Sequence, residues 1–247
     1  MDPQGHVVLV HAFPLNAELW DPQRAALPPG WRLLTPDLPG FGRSTEPPAM
    51  TVEGMAASVL AAMDARGIRR AVIGGMSMGG YVTFAMYRLA PERFSGLVLV
   101  DTRTTADNDQ QKDGRRKMMV TAREHGAPAI ADEMLPKLLG DTTKRERPTV
   151  AVTVRRLIEG NRADTIAGAV EAMMGRPDST PLLSRLALPT LIVCGEEDTL
   201  TPPSDSEAMH RAIAGSRLVL LPGAGHLSSL ETPAAFNQAF RTFLESQ

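Results

Sequence analysis

The sequence predicts an α/β fold in which helices cover both faces of a parallel β-sheet. Three observations lead to this prediction. Short apolar runs alternate with helical patterns over the N-terminal part of the chain and again towards its C-terminal end. A glycine-rich pentapeptide joins one of these runs to an apolar helix. Between the two parts lies a segment, residues 103–183, in which helical patterns and charged residues dominate and no convincing strand is found.

Six apolar runs are predicted to form the strands. The first is continuous rather than alternating in hydrophobicity, which is typical of a strand buried on both faces of a parallel sheet. Because helices separate the strands, we expect parallel pairing and right-handed crossover connections. The runs occupy residues 6–13, 31–35, 71–74, 96–101, 189–195 and 216–221.

Helical spacing of apolar residues predicts the connecting helices. One runs from 51 to 66, with Thr51 as its N-cap and Gly67 just beyond its end. The last, 233–244, carries a stripe of phenylalanines that we expect in the core. The other predicted helices are 21–26, the helix after the pentapeptide, 109–125, 127–140, 146–159, 163–174 and 203–214.

Composition limits the classes of partner. The chain has 247 residues, enough for one large domain or for a core with an insert, and its net charge is −2. This balance provides no basic face, so neither nucleic acid nor an anionic membrane is an expected partner. The single cysteine, Cys194, excludes an intrachain disulfide, and no signal peptide or membrane-spanning segment is evident. These features lead us to expect a cytoplasmic protein.

The pentapeptide is the strongest functional motif. Gly75-Met76-Ser77-Met78-Gly79 fits the G-x-S-x-G pattern of a nucleophile elbow, a sharp turn between a strand and a helix. Glycines two residues to either side of the serine avoid collisions with the neighbouring strand and helix. The turn would present the Ser77 hydroxyl above the carboxyl end of the sheet, near a helix N-terminus that favours negative charge. Ser77 is therefore the candidate nucleophile.

A serine nucleophile needs a base and a group that orients the base. His226, in a glycine-rich loop after the last predicted strand, is the candidate base, whereas His11 is expected to support a loop. Asp198 follows the fifth strand and is the favoured orienting acid. Asp101 is the alternative acid; otherwise it is expected to cap the loop leading into the helical segment.

Acyl transfer also requires donors for the developing oxyanion. The backbone N–H of Met78 is one candidate, and that of Phe13 is the other because Pro14 has no N–H. Each such donor typically contributes ~3 kcal/mol in the transition state.

Glu196 and Glu197, the neighbours of Asp198, are expected to be solvated.

The order Ser77, Asp198, His226 is that of α/β-hydrolases, and the whole chain resembles serine hydrolases of the α/β-hydrolase fold. It resembles small carboxylesterases and 3-oxoadipate enol-lactonases in particular. The segments that carry this resemblance are 11–20, 37–44, 75–80, 195–198 and 223–226.

Two departures from the family pattern concern the first strand. Ala12 stands where the family usually has glycine, and too few residues precede the first strand for the usual N-terminal hairpin. We therefore expect a six-stranded, all-parallel sheet whose second strand, 31–35, is an edge that can pair across a homodimer.

The resemblance implies a hydrolase core, residues 1–102 and 184–247, with a helical cap at 103–183. Cap residues, not individually assigned, would line the substrate pocket, and the recurring methionines suit an adaptable apolar wall. Arg103 is expected to form a surface salt bridge, with contact to an acidic substrate as the alternative. The methionines concerned are Met118, Met119, Met134, Met173 and Met174.

The expected function is hydrolysis of small carboxylic esters or lactones through an acyl-enzyme on Ser77, without a cofactor or metal. Dinucleotide-binding, P-loop and zinc-site motifs are absent from the sequence. The alternative from another class is a non-catalytic hydrolase-fold receptor or scaffold. Carbon–carbon bond hydrolysis, acyl transfer and perhydrolysis also remain open, because the same residues support them.

Overall fold

The computed structural model describes residues 5–247, which contain a six-stranded sheet with every strand parallel to its neighbours. The spatial order is β2-β1-β3-β4-β5-β6. The predicted all-parallel sheet and the edge position of its second strand are thus confirmed. The strands are β1 (Gly5–Val10), β2 (Trp31–Leu34), β3 (Ala71–Met76), β4 (Phe94–Val100), β5 (Thr190–Gly195) and β6 (Arg217–Leu221).

The α-helices connect these strands in the predicted alternation. Short 3₁₀ turns add Ala17–Trp20, Pro91–Arg93 and Thr180–Arg185. The α-helices are α1 (Asp21–Arg24), α2 (Val52–Asp64), α3 (Met78–Leu89), α4 (Asp109–Leu138), α5 (Asp141–Glu146), α6 (Pro148–Glu159), α7 (Ala163–Met174), α8 (Pro203–Ala212), α9 (Ser228–Glu231) and α10 (Pro233–Glu245).

Local sequence explains several of these boundaries. The Thr51 hydroxyl accepts a hydrogen bond from the Gly54 N–H at 3.0 Å, which makes Thr51 the N-cap of α2 as predicted. The two helices predicted around residue 126 form the two halves of α4, which is broken at Gly126 by a φ of 74°. The short helix α5 was not predicted, and α6 begins at Pro148 rather than at 146.

The core lies between the sheet and the helices on its two faces. α1 and α10 pack together on one face, and α2 and α3 pack together on the other. The predicted phenylalanine stripe of α10 is buried, with Phe236 6.0 Å from Trp20 between ring centroids. Burial of large aromatic rings supplies much of the stabilisation of such a core.

The segment between β4 and β5 lies over the loops at the carboxyl ends of the strands. It is helical throughout its regular structure, and α4 packs along α6 and α7. Asn161 ties it to the first loop by donating to the Pro14 carbonyl at 2.8 Å. The Leu138 carbonyl accepts from the His226 N–H at 3.1 Å, which links α4 to the last loop. No helix within residues 5–247 has the length and apolarity needed to cross a bilayer.

Candidate active site

Ser77 lies at the turn between β3 and α3. Its backbone has φ 54° and ψ −113°, a conformation that costs free energy in a non-glycine residue. Surrounding hydrogen bonds hold the strained turn: the Ser77 N–H donates to the Val100 carbonyl at 2.9 Å, and the Ser77 carbonyl accepts from the Thr102 hydroxyl at 2.8 Å. The turn therefore fixes the Ser77 side chain at the carboxyl end of the sheet.

The glycines of the pentapeptide allow this turn to close. A Cβ on Gly75 would collide with the backbone of Gly79, and a Cβ on Gly79 would collide with the Val10 carbonyl of β1. Both obstacles are backbone atoms, which cannot rotate away as the end of a flexible side chain does. The spacing of the motif is thus explained by close contact between β1, β3 and α3.

Gly79→Ala is expected to lower the free energy of unfolding by about 3 kcal/mol, because the added methyl group overpacks a rigid backbone contact. Urea denaturation measures this change. Gly114→Ala is the matched control, since Gly114 lies within α4 and a Cβ there meets no atom of the described residues, 5–247, within 4 Å. The control should be unchanged or slightly stabilised, because alanine favours helix. Equal stability of the two variants would contradict this account of the turn.

The structure brings Ser77, His226 and Asp198 together from three separate loops. The Ser77 Oγ lies 2.7 Å from the His226 Nε2, and the His226 Nδ1 lies 2.8 Å from the Asp198 Oδ2. His226 and Asp198 are each 3% exposed. With a proton on Nδ1, the imidazole donates to the carboxylate and leaves Nε2 free to accept the serine proton.

The Asp198 carboxylate is held by donors from its own loop. Its Oδ1 accepts from the N–H groups of Leu200 at 2.8 Å and Thr201 at 3.0 Å, and its Oδ2 accepts from the Thr201 hydroxyl at 2.7 Å. Burial alone would raise the pKa of Asp198, but the facing His226 and these hydrogen bonds outweigh it and lower the pKa. Thr201 was missed in the sequence, although a threonine three residues after an aspartate is a common loop pattern.

The contact between His226 and Asp198 also changes the pKa of the imidazole. Burial alone would lower the pKa of His226, but the charge and hydrogen bond of Asp198 outweigh it and raise the pKa above 6.5. The imidazole is neutral only above this raised pKa. A reaction that uses His226 as a base therefore slows as the pH falls through that value.

Asp101, the alternative acid, does not bond to His226. Its Oδ1 accepts from the Gly195 N–H at 2.9 Å, and its Oδ2 accepts from the Ser228 N–H at 3.0 Å and from the Ser228 hydroxyl at 2.7 Å. The expectation that Asp101 caps the loop into the helical segment is therefore wrong, because its carboxylate joins the end of β5 to the start of α9. Burial, and next the charge of Asp198, raise the pKa of Asp101.

Glu231 holds the histidine loop and was not singled out in the sequence. Its side chain is buried and accepts from the N–H groups of Gly225 at 2.9 Å, Leu227 at 3.0 Å and Gly140 at 2.9 Å. The first two flank His226, and the third belongs to the helical segment. No local pattern indicates this role, because Gly140 and Glu231 are far apart in sequence.

The expectation that Glu197 is solvated is wrong. It was expected to be solvated along with Glu196, which is exposed. Instead, Glu197 is half-buried and accepts from both the N–H and the hydroxyl of Thr142, at the start of α5. The loop that follows β5 is thereby joined to the helical segment.

In the loop after β1, His11 has the supporting role predicted for it. His11 is buried, and its Nε2 accepts from the Leu38 N–H at 3.1 Å, so it supports the loop after β2 as expected.

The N–H groups of Phe13 and Met78 have no hydrogen-bond partner within residues 5–247. Met78 is the first residue of α3, where backbone N–H groups lack acceptors within the helix. Both N–H groups are thus available to a ligand.

A cavity of about 380 Å³ contains Ser77 and His226 in its wall. The helical segment provides much of the remaining wall, including three of the five methionines singled out in the sequence. Arg103 also lines the cavity, and its Nε lies 3.2 Å from an Asp205 oxygen while it also donates to the Leu200 carbonyl. The predicted salt bridge of Arg103 is therefore present, within the cavity wall. The methionines are Met118, Met134 and Met173.

The fold and the strand–turn–helix at Ser77 define an α/β enzyme of the hydrolase class. The chain belongs to the alpha/beta hydrolase fold family, whose model matches residues 5–233.

Three similar proteins narrow the type of hydrolase. A thermophilic esterase from Thermogutta terrifontis, solved with malate bound, has a TM-score of 0.95 and 40% identity over 100% of this chain and 91% of its own. A pimeloyl-[acyl-carrier protein] methyl ester esterase of Neisseria meningitidis is 30% identical over 99% of this chain and 78% of its own length. A 3-oxoadipate enol-lactonase of Acinetobacter baylyi is 25% identical over 97% of this chain and 88% of its own length. The chain is a carboxylic ester hydrolase of the esterase and lactonase type.

Proposed function

We propose that the protein hydrolyses small carboxylic esters or lactones through an acyl-enzyme on Ser77. In this proposal His226 is the general base and acid, and Asp198 orients it. The observation that carries the proposal is the pair of short contacts, 2.7 Å from Ser77 Oγ to His226 Nε2 and 2.8 Å from His226 Nδ1 to Asp198 Oδ2.

The reaction has two steps. The Ser77 Oγ attacks the ester carbonyl carbon while His226 Nε2 takes the serine proton, and the tetrahedral oxyanion forms. When the C–O bond to the alcohol breaks, the imidazolium returns the proton to the leaving oxygen. A water molecule, deprotonated by His226, then attacks the acyl carbon and releases the acid, and Ser77 regains its proton. In a lactone, acid and alcohol remain parts of one molecule.

The oxyanion would be bound by the backbone N–H groups of Phe13 and Met78. Their availability supports this role, as does the position of Met78 at the first turn of α3, where the helix dipole favours negative charge. Such donors act most strongly where charge develops, so they stabilise the transition state more than the bound ester.

We also propose that residues 103–183 act as a cap over a core formed by residues 1–102 and 184–247, of which residues 1–4 lie outside the described part of the chain. The hydrogen bonds from this segment to the loops around Ser77 and His226 support the division. In this role the cap determines which acyl groups reach Ser77, because its methionines form part of the cavity wall.

Steady turnover by the purified protein tests the proposal. With p-nitrophenyl acetate, release of p-nitrophenol should continue through many turnovers, and a panel of aliphatic esters and lactones should include substrates with higher kcat/KM. A non-catalytic receptor would bind members of the panel without consuming them. Binding without turnover across the whole panel would contradict the proposed function.

A further inference from the structure

The cavity that contains Ser77 has an uneven charge. Basic side chains on its wall outnumber acidic ones, although the whole protein carries a net charge of −2. Such a concentration of one sign in a pocket attracts ligands of the opposite sign. The basic residues, besides His226, are Arg103, Arg115, Lys137 and Arg176, and the acidic ones are Asp107 and Glu133.

Two of these cations share one carboxylate. The Asp107 side chain is 2% exposed; its Oδ2 lies 3.0 Å from the Arg115 Nε, and its Oδ1 lies 2.8 Å from the Arg176 Nη1. One negative charge cannot neutralise the two positive charges of a pair of guanidinium groups. The group formed by Asp107, Arg115 and Arg176 therefore keeps an excess positive charge.

Arg176 is held by the protein through both of its terminal nitrogens. Its Nη1 also donates to the Met173 carbonyl and its Nη2 donates to the Thr105 carbonyl, both at 2.8 Å. Its guanidinium stacks on the Tyr81 ring, 4.1 Å from the centroid. These contacts fix Arg176 and, through Asp107, the position of Arg115.

Arg115 is the member of the group that remains available. It contacts Asp107 through Nε, and its two terminal nitrogens have no hydrogen-bond partner within residues 5–247. Its side chain is 20% exposed and lines the cavity. The positive charges of the other two basic residues are balanced by nearby carboxylates, since Lys137 lies 3.5 Å from Glu133 and Arg103 lies 3.2 Å from an Asp205 oxygen. A guanidinium with two free, parallel N–H donors matches a carboxylate.

We propose that Arg115 binds a carboxylate carried by the substrate, so that the enzyme prefers half-esters of dicarboxylic acids, or lactones bearing a carboxylate, over uncharged analogues. This inference rests on the proposed function, because the ester group must reach Ser77 in the same cavity. Met118 and Met134, also on the cavity wall, provide apolar surface for a carbon chain between the two groups. Arg115 would then determine specificity without taking part in the chemistry.

Arg115→Gln tests the inference by kcat/KM on matched substrates. The pairs are monoethyl succinate with ethyl butyrate, monoethyl glutarate with ethyl pentanoate, and monoethyl adipate with ethyl hexanoate. The wild type should prefer the acidic member of at least one pair by about tenfold or more. The variant should lose about 10- to 100-fold on that acidic ester, mainly through KM, because a charge-assisted hydrogen bond is removed. It should stay within about threefold on the uncharged ester.

Arg116→Gln is the matched control. Arg116 is the next residue of α4; its side chain is 57% exposed, pairs with Asp113 and does not line the cavity. The control should leave both members of each pair unchanged. The Arg115 variant should also keep its fold, because Asp107 retains its ion pair with Arg176. Equal losses on acidic and uncharged esters, or no loss on the acidic ester, would overturn the inference.

Binding provides a readout that is independent of turnover. Titration calorimetry with glutarate and adipate should give saturable binding to the wild type and to the Arg116 variant, weakened about tenfold or more in the Arg115 variant. If no ester were turned over but this pattern held, the proposed function would fail and the carboxylate site would stand. If uncharged esters were hydrolysed and the three proteins bound the diacids equally, the carboxylate site alone would fail.

Discussion

Replacing Ser77 by alanine is expected to lower kcat for ester hydrolysis by about 10⁴- to 10⁶-fold, because in the proposed mechanism Ser77 carries the acyl intermediate. The residual rate would come from binding and from the oxyanion donors. The measurement is p-nitrophenyl ester turnover at saturating substrate. With a slowly released acyl group, mass spectrometry of the wild type should find one added acyl group on the peptide that contains Ser77, and none in the variant.

The fold should survive this change. Within residues 5–247, the Ser77 side chain is hydrogen-bonded to His226 alone, and the backbone contacts that hold the turn do not involve the hydroxyl. The thermal midpoint of Ser77→Ala should therefore lie within a few degrees of the wild type. Ser204→Ala, which changes an exposed serine in α8, controls for loss of a hydroxyl elsewhere. Activity of Ser77→Ala at the level of this control would exclude the acyl-enzyme mechanism.

Replacing Asp198 by asparagine is expected to lower kcat by about 10³- to 10⁴-fold. An amide can hold the imidazole in the wrong tautomer and provides no charge to stabilise the imidazolium that forms during acyl transfer. Because the charge and hydrogen bond of Asp198 contribute most to the raised pKa of His226, removing the carboxylate should also move the acid limb of kcat/KM to lower pH. In the wild type that limb should lie at higher pH than for an ordinary histidine, since the rate falls as the imidazole becomes protonated.

Asp101→Asn is the matched comparison, because Asp101 is a second buried aspartate at the end of a neighbouring strand. Its carboxylate bonds to Gly195 and Ser228 rather than to the imidazole. We expect this variant to lose stability in urea more than it loses kcat, and to move the acid limb less than Asp198→Asn does, because the Asp101 charge contributes less to the raised pKa of His226. If Asp101→Asn were instead the more severe catalytic defect, the orienting role would pass to Asp101.

The helical segment, residues 103–183, shows where sequence patterns stop being informative. Helical periodicity predicts the helices between β4 and β5, and the break at Gly126 follows from a glycine between two periodic stretches. Periodicity does not tell which polar side chains of those helices face a cavity. Arg115 and Arg116 are neighbours in the same charged run, yet the first pairs with buried Asp107 and the second with exposed Asp113. Only the packing of α4 on α7 separates them.

The sequence by itself determined the parallel sheet, the sharp turn at Ser77 and the order in which Ser77, Asp198 and His226 follow their strands. These features depend on local periodicity, on glycine spacing and on the rule that the carboxyl ends of parallel strands meet at one edge. Only the tertiary structure showed which side chains support the site. Glu231 holds the histidine loop, Glu197 bonds to the start of α5, and Asp101 joins the end of β5 to the start of α9. It also showed that the two terminal nitrogens of Arg115 have no hydrogen-bond partner within residues 5–247. The physical reason is that a charged side chain has no preferred partner in the sequence, and its partner is fixed only when burial makes an unpaired charge costly.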